Sequence, residues 1–196
     1  GEWSLPNPLD GIRVFKEAEK EMSWLTLSQL PELFRACEQY GKEDLTMIVK
    51  VCLATGARWG EAERLTRPQL SPYKLTFTKT KGKKNRTVPI PKWLYDELSV
   101  RQGRMFKPCY QEFKKMLKLT NIELTEGQKT HVLRHTFGAH FMMNGGNILV
   151  LQKILGHANI RETMKYAHFA PDHLEQAVTL NPLSLYVGDN VAAEVA

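Results

Sequence analysis

The sequence predicts a mostly helical fold that carries one small antiparallel β-sheet. Apolar residues recur at three- and four-residue spacing over most of the chain, the mark of helices with one buried face. A single stretch, KLTFTKTKGKKNRTVPIP, places strand-type residues on both sides of a basic, glycine-containing turn. Strands and helices do not alternate, and neither GxxxxGK[ST] nor GxGxxG occurs, which argues against a doubly wound nucleotide-binding fold.

The first helix is expected over Thr26 to Gly41. Thr26 and Gln29 have the spacing of a capping box, Leu27, Leu30, Leu33, Phe34 and Cys37 follow at helical intervals, and Gly41 supplies a stop. A second helix, from about Asp44 to Thr55, puts Leu45, Ile48, Val49, Cys52 and Leu53 inside; Gly56 interrupts it, and ARWGEAERL resumes as a short helical piece. The hairpin is predicted with strands near Lys74–Thr80 and Arg86–Ile90. Helices are then expected over Lys92–Ser99, Tyr110–Leu119, Thr130–Asn144, Leu149–Leu155, Ile160–His168 and Pro171–Leu180, with Asn144 to Asn147 as a stop and turn. Residues 1–25, with Pro6, Pro8 and Asp10-Gly11, read as a linker leading into a domain over residues 26–180. Residues 181–196 read as a tail.

The 196 residues suffice for one well-cored domain. Lys and Arg number 27 against 21 Asp and Glu, a formal charge of +6, which leans toward a polyanionic partner with nucleic acid foremost. Cys37, Cys52 and Cys109 are scattered and odd in number, so no disulfide framework is expected and a reducing cytoplasm is the simplest setting. No apolar run approaches the ~18 residues of a membrane span, and the first residues lack the basic start and apolar core of a signal peptide.

Several polar residues stand where the pattern asks for apolar ones. In THVLRHTF, His131, Arg134 and His135 project from one helical stripe; Arg58 follows a helix break; Lys81 lies in the hairpin turn; His157 sits in LGHANI and Tyr166 in TMKYAHF. Each alone has an ordinary structural reading: a hydrogen-bonded core histidine, a capping arginine, a solvated turn. His131 and His135 have the spacing of half a zinc motif, but Val132 follows where HExxH needs its glutamate, so no metal site is expected. As a set they suit phosphate chemistry. Arginine offers a planar fork to phosphate oxygens and lysine a mobile point charge. Tyrosine, with a free pKa of about 10, is a nucleophile once a base takes its proton. Histidine titrates near neutrality and can move that proton.

TGARWGEAERL, TKTKGKKNRTVPI, HVLRHTFGAHFMMNGG and LQKILGHANIRETMKYAHF together resemble the catalytic domain of tyrosine recombinases, above all the integrases of temperate bacteriophages. The likeness runs from Leu25 to Leu183, with His157 twenty-three residues after Arg134 and Tyr166 nine after His157. It implies site-specific recombination, with Tyr166 as the nucleophile that forms a 3′-phosphotyrosyl link. Arg58 and Arg134 would hold the phosphate oxygens. Lys81, which among its neighbours matches best counted back from Val88-Pro89, would be the general acid. His131 would accept the tyrosine proton, His157 would donate to the phosphate, and Glu61 and His135 would support the site. Lys79, Lys83, Lys84 and Arg86 would contact DNA. The resemblance further implies no cofactor, metal or ATP, a tetramer on two double-stranded DNA sites, a tail over residues 181–196 that packs in trans, and accessory DNA-bending or directionality proteins. A type IB topoisomerase and a DNA-binding regulator without chemistry are the alternatives. The LGH motif and the short chain favour the recombinase over the first, and Tyr166, which mere binding does not need, argues against the second.

Overall fold

The structure, a computed structural model, describes residues 22–78, 85–125, 127–172, 174 and 176–183. Helices α1 (Leu30–Tyr40), α2 (Glu43–Thr55) and the short α3 (Trp59–Glu63) come first. A three-stranded antiparallel sheet follows, in the order β1 (Leu70–Ser71), β2 (Lys74–Phe77), β3 (Arg86–Pro89). Then come α4 (Lys92–Ser99), α5 (Tyr110–Leu117), α6 (His131–Met143), α7 (Ile148–Leu155), α8 (Arg161–Met164) and α9 (Gln176–Thr179).

α2 is the central helix. Leu45, Met47, Ile48, Val49, Val51 and Cys52 are all buried, so apolar residues cover most of its circumference, as expected of a helix enclosed by neighbours. It packs against α1, α3 and α6. The main core adds Leu33, Leu75, Leu94, Leu98, Phe113 and Leu133. A second cluster of Met142, Leu151, Leu155 and Tyr166, with Phe137 and Phe141 packed against it, joins α6 to the C-terminal elements.

The hairpin register pairs Leu75 with Val88 and Phe77 with Arg86. Leu75, Phe77, Arg86 and Val88 therefore share the buried face, because side chains alternate along a strand. Arg86, expected to begin the second strand and to contact DNA, does begin β3 but is interior and only 8% exposed. Lys79, Lys81, Lys83 and Lys84 lie outside the described residues, as does the tail from residue 184.

Several boundaries differ from expectation: of the helix expected over Pro171–Leu180, only α9 is helical among the described residues, and α5 stops at Leu117, not Leu119. α1 starts at Leu30, not Thr26, because Pro31 has no N–H to give a preceding turn and suits the first turn of a helix. Gln29 still caps backward, its Oε1 accepting the Thr26 N–H at 3.0 Å, while Leu27 is left 70% exposed. The stretch expected as one helix over Ile160–His168 is α8 followed by a 3₁₀ turn at Ala167–Phe169. Finally, the folded unit reaches back before Thr26. The Leu25 N–H donates to Thr136 Oγ1 at 2.8 Å, the Leu25 carbonyl meets His140 Nε2 at 2.8 Å, and Trp24 stands edge-on to His140 and Phe169. None of the helices among the described residues is long and apolar enough to cross a membrane.

Candidate active site

α2 ends on Gly56, whose left-handed φ of 64° turns the chain sharply toward α3. A Cβ there would meet Leu155 Cδ2 and Phe137 Cδ1, both at 2.6 Å, so only glycine fits this junction of α2, α6 and α7. The turn places Arg58 at the head of α3, one helical turn from Glu61. The Glu61 carboxylate accepts the Arg58 backbone N–H at 2.9 Å and Arg58 Nη1 at 3.2 Å. Arg86 reaches the same carboxylate from β3 with both terminal nitrogens, Nη1 to Oε1 at 3.1 Å and Nη2 to Oε2 at 2.7 Å. Burial opposes charge on Glu61, yet the hydrogen bonds and charges of Arg86 and Arg58 overcome it and hold the group down at about 2.

Arg134 enters from α6. Its Nη1 donates to the Gly56 carbonyl at 2.8 Å and its Nη2 to the Leu155 carbonyl at 2.7 Å, two acceptors freed at the C-terminal ends of α2 and α7. Burial lowers its pKa to about 10, and the nearby charges of Arg58 and Arg86 act in the same direction. Arg58, Glu61, His131 and Arg134 line one open pocket of about 570 Å³, together with Tyr110 and Arg64. Arg58, Arg64, Arg134 and His131 thus outnumber the wall carboxylates Glu61 and Glu63 around a space that suits an anion.

The stripe His131, Arg134, His135 is graded in exposure, and His135 packs inward as its expected supporting role requires. His131 is exposed, Arg134 is 4% exposed and His135 is 9% exposed. His135 turns inward and shares a 2.9 Å hydrogen bond, through Nδ1, with the Tyr166 hydroxyl. Tyr166 is fully buried, its ring laid against Gly138, where a Cβ would come within 2.6 Å of Cε1. Burial pushes the Tyr166 hydroxyl up to about 12, against the opposing pull of Arg134 and Arg58. Burial also takes His135 down to about 3, helped by Lys165, His131, Arg134 and His157, so it is neutral at physiological pH. His157 follows the left-handed cap Gly156 of α7 and is held by Thr163 Oγ1 at 2.8 Å; burial and the charges of Arg134, Lys165, Arg58 and Arg86 bring it to about 3 as well. His157 and Tyr166 both feel the charges of Arg134 and Arg58, although neither lines the pocket.

Sequence reasoning missed Lys165, whose Nζ lies 5.2 Å from the Tyr166 ring centre and whose pKa is lowered by burial and by Arg134 and Arg58. It also missed a hollow of about 670 Å³ lined by Lys114, Lys115, Lys118 and Lys129. The run KKMLK on α5 and Lys129 just before THVLRHTF were the available signals.

The fold is that of the tyrosine-recombinase type of catalytic domain. The chain belongs to the phage integrase family, whose model matches residues 23–173. It is 59% identical over 184 residues to the integrase of Escherichia phage 186 and 58% over 182 residues to that of Haemophilus phage HP1. Those matches cover 93% of this chain but 55% and 54% of the relatives, so the chain spans about half the length of the curated relatives it matches. The solved catalytic domain of bacteriophage HP1 integrase superposes with a TM-score of 0.80 at 57% identity, over 84% of this chain and 98% of that one.

Proposed function

We propose that this chain is the strand-cleaving domain of a site-specific DNA recombinase that integrates and excises a phage genome. The observation that carries the reading is the convergence of Arg58, His131 and Arg134 on one pocket, with a tyrosine hydroxyl held just behind it by α6. Family membership and the likeness to phage integrases support it. The scissile phosphate would sit between Arg58 and Arg134, which neutralise charge as it builds in the transition state. Tyr166 oxygen attacks phosphorus, the 3′-phosphotyrosyl bond forms, and the bond to the 5′-oxygen breaks. His131 takes the tyrosine proton, Lys81 gives one to the leaving 5′-oxygen, and His157 donates a hydrogen bond to the phosphate. The covalent link retains the energy of the broken ester, so religation needs no ATP, and the residues named supply the chemistry without a metal or other cofactor. Lys79, Lys83 and Lys84 would contact the DNA beside the site.

Tyr166 is docked on His135, so cleavage requires the hydroxyl to leave that partner and reach the pocket. Supercoiled plasmid incubated in EDTA with this chain should give a covalent protein–DNA adduct on a denaturing gel. Tyr166→Phe should give none; an equal adduct yield from that variant would exclude the reading.

Assembly as a tetramer on two double-stranded DNA sites, with accessory DNA-bending proteins, belongs to the same reading. Leu174, Val178, Leu180 and Leu183 are 69–79% exposed at the C-terminal end, which supports a tail that packs on a neighbouring copy. Removing residues 184–196 should lower the sedimentation coefficient of the DNA-bound assembly, whereas an unchanged value would place the interface elsewhere.

A further inference from the structure

We infer that Arg86 is a positioning residue for strand cleavage: through Glu61 it fixes the guanidinium of Arg58 against the phosphate pocket. The inference rests on the recombinase reading for its chemistry, but its geometry stands independently.

Arg86 occupies a place that the fold alone would give to an apolar residue. It shares the buried face of β3 with Val88, opposite Phe77 on β2, and its guanidinium lies 4.6 Å from the Phe77 ring centre. Its side chain is 7% exposed, and its Nε is buried without a hydrogen-bond partner. A buried ion pair is seldom worth more to stability than apolar residues of the same shape, and an orphaned N–H is a further cost. What the arrangement does provide is order around the pocket. Glu61 Oε1 accepts from both Arg86 Nη1 and Arg58 Nη1, and Oε2 from both Arg86 Nη2 and the Arg58 backbone N–H. Arg86 thus locks the carboxylate with a two-pronged contact, and the carboxylate in turn locks both ends of Arg58. The Arg58 side chain remains 26% exposed and lines the pocket. Without Arg86, a carboxylate that is only 7% exposed would keep Arg58 as its remaining ion-pair partner among the described residues and would draw that guanidinium away from the phosphate.

The same residue braces the rest of the site. Gly156 packs so closely on it that a Cβ there would stand 2.9 Å from Arg86 Cδ, and His157 is the next residue. One side chain therefore ties β3, the head of α3 and the C-terminal end of α7 together.

The test compares Arg86→Met, Arg86→Lys, Arg58→Ala and the double variant Arg58→Ala/Arg86→Met. Each is assayed for single-turnover adduct formation on nicked attachment-site DNA, for DNA affinity, and for thermal unfolding. Arg86→Met should cleave about 100-fold more slowly, the cost of a misplacement near 1 Å, with DNA affinity unchanged. The double variant should be no slower than Arg58→Ala alone, since both act through one guanidinium. Arg86→Lys keeps the charge but loses the fork, so it should recover only part of the rate. Multiplicative losses in the double variant, or a wild-type rate in folded Arg86→Met, would overturn the proposal. Should Arg86→Met fail to fold, Arg86→Met/Glu61→Gln removes the buried charge pair together and should fold while cleaving slowly; wild-type cleavage by that variant would equally overturn the inference. Arginine side-chain nitrogen NMR on the DNA-free protein reads the restraint without any reaction. Distinct Arg58 guanidinium signals should broaden or merge in Arg86→Met, and unchanged signals would refute the relay. Absence of any adduct from the unsubstituted protein would count against the recombinase reading and leave the NMR comparison to decide this one.

Discussion

His135 and Tyr166 meet inside the molecule, and the burial of His135 makes stability depend on pH. His135 is kept neutral by burial and by the cations around it, at about 3, and His157 is likewise at about 3. Each has a pKa near 6.5 when unfolded, so below that value the unfolded chain binds protons that the fold refuses. Stability from these groups is complete above pH 6.5 and is lost as pH falls toward 3. Glu61, held at about 2, adds a loss in the same direction once pH drops below its ordinary value of 4.5. Thermal melts between pH 8 and pH 4 should therefore show a flat upper region and a falling midpoint below about 6.5, with His135 contributing about 1.4 kcal/mol per pH unit. His135→Asn, which cannot titrate, should flatten part of that fall. A midpoint that rises on acidification would show that both histidines are charged in the fold.

At the scale of elements, what the sequence made legible is what is local and periodic. α2, α4 and α6 end within a residue of expectation because their apolar stripes, with Gly56 and Asn144 as stops, are written in consecutive residues. β1 escaped notice because two residues cannot establish an alternation. The Arg58, His131, Arg134 constellation was visible in its motifs, and the structure gathers it into one pocket. That His135 would support the site was expected, but its contact with Tyr166 was not visible. Its partner Tyr166 is 31 positions away, and only the packing of the 3₁₀ turn at Ala167–Phe169 against α6 brings them together. Arg86 was misread for a different reason. Its basic neighbours around a glycine suggest a DNA contact, whereas Arg86, at the start of the expected strand, has the parity of Val88 and its charge is met by Glu61 from a helix 25 residues earlier. Charge composition reports how many cations a segment has. Strand register decides which of them face water.

For the molecule as a whole, the question is which of its surplus cations meet DNA. The formal charge of +6 does not say, and burial removes Arg86 and Arg134 from the surface count. The hollow lined by Lys114, Lys115, Lys118 and Lys129 is the basic surface next to the chemistry. Lys114 Nζ lies 4.8 Å from the Tyr110 ring centre, Tyr110 lines the active-site pocket, and Lys129 directly precedes Thr130 of that pocket. A duplex whose scissile phosphate sits at Arg58 and Arg134 would carry its next phosphates along this track. Each phosphate neutralised contributes about −0.9 to the slope of log affinity against log salt. Replacing Lys114, Lys118 and Lys129 by glutamine should therefore make that slope shallower by about 3 and weaken binding equally across DNA sequences, since phosphate contacts carry no base information. Adduct formation at saturating DNA should be unchanged, because none of the three reaches the reacting atoms. Fluorescence anisotropy over a salt series on two unrelated duplexes measures all of this. An unchanged slope would show that the DNA path does not run along this hollow.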